Sequence, residues 1–112
     1  MNYTPDQLQM LLFNYLSPQC TECVFLFDDM TFKRGTVVDG DPPAFKNNWC
    51  DGFWRLHGQS VKLRQNEKPD DELLEFNKDI GCFIVTCGNT QSFFYPIDNP
   101  DLKQMVTKMI II

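Results

Sequence analysis

The chain has one histidine, no glycine-rich phosphate loop, no basic leader at its N-terminus and no apolar stretch approaching the ~20 residues that cross a bilayer. Each absence excludes a class of function. A hydrolase triad or a His-rich catalytic zinc site would have to be built on His57 alone, the one side chain that ordinarily titrates near neutrality. Gly35, Gly40 and Gly52 stand singly, so no backbone cradle for phosphate is encoded. Asp6 sits where a secretory signal would be basic, and Met109 to Ile112 is too short to anchor the chain by itself. The expectation is a cytoplasmic protein without a membrane partner. An odd count of five cysteines, read in a reducing compartment, points to free thiols.

What is present is aromatic and acidic. Ten phenylalanines, three tyrosines and two tryptophans in 112 residues supply more ring than polar surface needs, and a packed core is the ordinary destination for most of it. The length suits a single domain. The formal net charge of −5 repels phosphate backbones and disfavours nucleic acid as a partner. The charge is uneven: Glu67, Asp70, Asp71, Glu72, Glu75 and Asp79 crowd one stretch, and Arg55, Lys62 and Arg64 precede it with no acid between Gly52 and Gln65.

Hydrophobic spacing predicts an α+β domain over 1–112, with an antiparallel sheet of five to six strands in hairpins and three helices packed on it. The N-terminal helix has Thr4 as cap, Pro5 in its first turn, Gln7 completing a capping box, and a stripe of Leu8, Leu11, Leu12, Tyr15 and Leu16; Ser17-Pro18 stops it. A short acidic helix is expected from Pro69 to Asn77, with Asp70, Asp71 and Glu72 at its N-terminal turn. A C-terminal helix opens at Asn99-Pro100 and carries Leu102, Met105, Val106, Met109 and Ile110 on one face. Cys23 to Phe27 reads as a strand covered on both faces, and Met30 to Val38 as a second strand with a bulge at Gly35. Hairpins are expected around Gly58-Gln59 and Gly88-Asn89.

Four patterns invite chemistry. Cys20-x-x-Cys23 has the spacing of a zinc or redox pair, with Cys82 and Cys87 as the second pair a structural zinc would need. A zinc-stabilised or thiol-redox protein is therefore the alternative function. Cys50 with His57 would be the nucleophile and base of a thiol hydrolase. Asp28-Asp29 and Asp39-Gly40-Asp41 read as turn formers. The segment from Phe45 to Trp54 concentrates large rings after the Pro42-Pro43 break, so Phe45, Trp49, Phe53 and Trp54 are candidate interface anchors, with packing inside the sheet as the bland alternative for the two tryptophans.

The functional expectation is a non-enzymatic protein-binding module that needs no cofactor or metal. By analogy it is an inhibitor or adaptor of the kind used by phage and viral antagonists or immunity proteins. Its partner surface would be the four rings, with Asp70, Asp71, Glu72 and Glu75 steering a basic partner. Ile110, Ile111 and Ile112 exceed one helical stripe and offer a patch for a second copy.

Overall fold

The computed structural model describes residues 8–17, 20–38, 44–45, 50–66 and 70–97, the side chains of 17, 44, 45 and 87 excepted. These residues form nine strands: β1 (Leu8–Ser17), β2 (Cys20–Phe27), β3 (Thr31–Val38), β4 (Ala44–Phe45), β5 (Cys50–His57), β6 (Ser60–Gln65), β7 (Glu72–Asn77), β8 (Cys82–Cys87) and β9 (Thr90–Pro96). Every pairing is antiparallel. The order β2-β1-β9-β8-β7-β6-β5-β3 closes on itself through β2–β3, giving an eight-stranded up-and-down barrel. The two-residue β4 lies on the same side of β3 as β5 and continues its line. Among the described residues there is no helix.

The barrel overturns the α+β expectation, and the reason is local. A helical stripe on Leu8, Leu11, Leu12 and Tyr15 leaves Met10 and Phe13 on the wrong side. As a strand, β1 uses all of them, because successive side chains alternate between two apolar environments. Leu12, with Met10 beside it, joins the inner cluster, while Leu11 and Phe13 join an outer one. The acidic helix from Pro69 fails for a similar reason. Its six core residues are too few for a stable helix in water. As β7 they put Glu72, Leu74 and Phe76 on one face and Leu73 and Glu75 on the other. The capping box at Thr4 and the C-terminal helix from Asn99 lie outside the described residues.

The wall has eight strands where five to six were expected, but the segments whose spacing reads as strands do form them. Cys23 to Phe27 is covered on both faces: Val24 and Leu26 point in, while Cys23, Phe25 and Phe27 belong to the outer cluster with Leu8, Leu11, Phe13, Val37 and Ile97. Val61 and Leu63 are buried while Arg64 is exposed. Both hairpins turn where expected, with Gly58 and Gly88 in the left-handed region that glycine adopts without strain. The Gly35 bulge is absent, since β2 and β3 keep one register from Cys20↔Val38 to Leu26↔Phe32; the irregularities fall in β1 instead. Asp28-Asp29 is turn chemistry: Asp29 Oδ1 accepts from the Thr31 N–H at 3.0 Å and from its hydroxyl at 2.5 Å.

The inner cluster draws on all eight wall strands: Leu12, Val24, Leu26, Phe32, Val61, Leu63, Leu74, Phe83 and Phe94, with Met10, Trp54, Phe76 and Val85 against it. It is the barrel interior, filled by side chains as expected at eight strands. Gly52 makes room for it. A Cβ there would stand 2.1 Å from the Arg64 carbonyl oxygen and 2.8 Å from Cε1 of Phe32. Gly52→Ala is therefore expected to lower stability by about 3 kcal/mol, the upper range for overpacking. Gly58→Ala, with open space around its Cβ, should cost only about 1 kcal/mol through its left-handed backbone. Urea midpoints of the two variants measure the difference.

Candidate functional site on the outer wall of β5 to β7

The β5–β6 hairpin builds the most chemically dense surface among the described residues. Counting outward from the Gly58-Gln59 turn, Arg55 pairs with Lys62 and Phe53 with Arg64, and Lys62 in turn faces Leu73 on β7. These five residues share the outer face, because Trp54, Leu63 and Leu74 between them point into the barrel. Directly opposed side chains on one face lie within contact reach, so three cations and two apolar groups are gathered over three strands.

Asp71, just before β7, organises the cations. Its Oδ2 accepts from Nη2 of Arg55 at 2.9 Å and its Oδ1 from Nε of Arg64 at 2.5 Å. The hydrogen bond to Arg64 holds the Asp71 carboxyl below its usual range, and the same bond raises the Arg64 guanidinium. Two arginines on one carboxylate leave donors to spare, and Lys62 makes no ion pair among the described residues. Phe53 stands beside them with 57% of its surface exposed. A hollow of about 320 Å³ opens between Phe53, Arg55, Lys62, Arg64 and Asp71, with Trp54 at its base. Such a surface can take carboxylates or phosphates on the guanidinium groups and an apolar group on the ring.

A second polar group lies at one end of the barrel. Arg34 donates through Nη2 to Oε1 of Glu22 at 3.0 Å and through Nη1 to Oε2 of Glu72, and its guanidinium lies 5.6 Å from the Phe94 ring centroid. Burial opposes the Arg34 charge, but the hydrogen bonds and attraction of Glu72 and Glu22 outweigh it, so the group titrates above its ordinary value. The triad ties β2, β3 and β7 together across the interior and has the form of a structural plug.

The expected site residues are dispersed by the fold. Phe53 faces outward. Trp54 is half-buried, packs against the inner cluster and donates its indole N–H to the Phe27 carbonyl at 2.9 Å. The side chain of Phe45 and all of Trp49 lie outside the described residues, as do Ile110 to Ile112. Asp70 and Glu75 are exposed, Asp71 is taken up by the two arginines, and Glu72 turns inward to Arg34. Arg55, Lys62 and Arg64 carry the site although the ring and acid count did not select them. Their grouping was legible from the hairpin turn, since a two-residue turn at Gly58-Gln59 dictates which residues oppose each other.

The thiol patterns are also separated. Cys20 and Cys23 are three apart on one strand, which places their sulfurs on opposite faces of the wall. Cys50 and His57 occupy the two ends of β5, about 23 Å apart at the rise of an extended strand. Among the described residues no group of three or more His, Cys, Asp or Glu side chains is placed to hold a metal ion.

Two outcomes follow. Burial, with the nearby Glu22 charge, pushes the Cys23 thiol up to about 12 from 9.0. It should resist thiol reagents in the folded protein and react on unfolding, as counted by disulfide-exchange titration. Because the folded state disfavours the thiolate, its contribution to stability is whole below 9.0 and declines as pH rises toward about 12. For Asp71, whose carboxyl is held low, the sign is the reverse. Asp71→Asn should destabilise the protein near neutrality, and the gap from wild type should close as pH falls below 3.8. Chemical denaturation at pH values on either side of 3.8 reads it.

No family model, no curated protein and no solved structure matches this chain.

Proposed function

We propose that this chain is a non-enzymatic binding module that docks another protein on the outer wall of β5 to β7, with Phe53 as its anchor and Arg55, Lys62 and Arg64 around it. The observation that carries the reading is the arrangement of an exposed ring among arginines already oriented by a shared carboxylate. Exposed aromatics and arginines are the residue types in which interface energy concentrates. Side chains held before binding lose less entropy when a partner arrives. The filled interior supports the same assignment, because small-ligand barrels keep their ligand in the lumen, and here Phe32, Leu63 and Phe94 occupy it.

Within this reading Trp54 has a positioning role. Its indole is tied to the β2–β3 turn, and its main-chain N–H donates to the Met30 carbonyl at 2.8 Å. It fixes the strand from which Phe53 projects. The acidic residues Asp70 and Glu75 border the surface and set its charge pattern.

Phe53→Ala and Arg64→Ala should each weaken capture of the native partner tenfold or more, about 1.4 kcal/mol or greater, while the melting temperature stays within a few degrees of wild type. Affinity capture from the native cellular setting, quantified beside thermal melts, is the measurement. Retained capture by both variants would remove the reading.

A further inference from the structure

We infer that the partner fitting this outer wall is a second copy of the chain, joined about a two-fold axis that passes between β6 and β7. The inference rests on the docking face proposed above and specifies what covers it.

The wall has two halves of opposite sign. Around the outer faces of β5 and β6, Arg55, Lys62 and Arg64 against Asp51 and the adjoining Asp71 leave a formal charge of +1. Along β7 and the residues flanking it, Asp70, Glu75 and Asp79 against Lys78 leave −2. The halves abut: Asp71 lines both the cationic hollow and an acidic hollow of about 400 Å³ that also contains Asp70, Leu73, Glu75 and Ile84. A two-fold rotation about the border brings β6 of each copy over β7 of the other, and so sets +1 on −2 twice. An isologous interface requires this kind of self-complementary patch.

The apolar groups obey the same symmetry. Leu73 is exposed at the border, directly opposite Lys62, so the rotation lays it beside the aliphatic stem of Lys62 on the other copy, whose ammonium reaches diagonally to Glu75. Phe53, on the flank, projects toward the side on which the other copy presents the hollow around Glu75 and Ile84. The net charge of −5 on each chain opposes association at long range. That repulsion is screened beyond about 8 Å at physiological salt, whereas pairs in contact lie well inside that distance.

Sedimentation velocity over a concentration series tests the inference with two charge reversals, Lys62→Glu and Glu75→Lys. Neither residue forms an intramolecular ion pair among the described residues, so both variants should melt like wild type. Wild type is expected to dimerise, more weakly as salt rises from about 0.05 M to about 0.5 M. Each variant alone should be monomeric, because both contacts in its homodimer set like charges together. An equimolar mixture should recover the dimer, since both contacts are then of opposite sign. A wild-type chain that stays monomeric throughout overturns the inference, as does a dimer that ignores both reversals. If the monomeric chain still captures a foreign protein and Phe53→Ala abolishes that capture, the docking face stands and only the second copy is rejected.

Discussion

The rest of this structure depends on the short pairing between its first and last strands. Leu12 opposite Pro96 and Phe13 opposite Tyr95, extended by the Ile97 N–H donating to the Leu11 carbonyl at 2.8 Å, join a meander into a closed wall. Closure removes the sheet edges that would otherwise invite pairing with other chains. It also fixes an inside and an outside, and with them the role of every alternate residue. Once Leu12 and Phe94 face inward, Phe53 and Arg64 face outward and Trp54 does not.

The interior is apolar for most of its length and ionic at one end. A half-buried guanidinium with two half-buried carboxylates gains little over well-packed apolar groups, yet losing one partner would leave a poorly solvated charge. Arg34 thus adds mutual dependence among β2, β3 and β7 more than it adds stability. It matters most for β7, whose residues 72–74 pair with β6 and whose residues 75–77 pair with β8. That strand carries Leu73 and Glu75 on the outer wall, so the half-buried triad and the exposed site share one support.

Much of the wall could be read from residue order. The hairpins at Gly58-Gln59 and Gly88-Asn89, the doubly covered run from Cys23 to Phe27 and the alternation at Val61 to Arg64 all follow from turn chemistry and spacing. β1 could not, because Leu8, Leu11 and Leu12 satisfy a helical period and a two-sided strand equally well, and only the presence of β2 and β9 beside it decides. β7 departs from the helix its residues suggest for a related reason: acids near a proline favour a helix start, but a segment of six residues takes its conformation from its neighbours. At the site, Phe53 was legible as a ring in a ring-rich segment, whereas its orientation needed the register of β5 against β3.

By itself the sequence determined the hairpin turns, the abundance of ring for a single core, the shortage of groups for proton transfer, and the opposite opposing charges of neighbouring segments. These are properties of composition and of contacts a few residues apart. Tertiary structure alone decided that the strands close, that Asp71 binds Arg55 and Arg64, and that Glu72 leaves the acidic face for Arg34. Each of those joins residues from separate strands, and their meeting is set by barrel register, which no local pattern specifies.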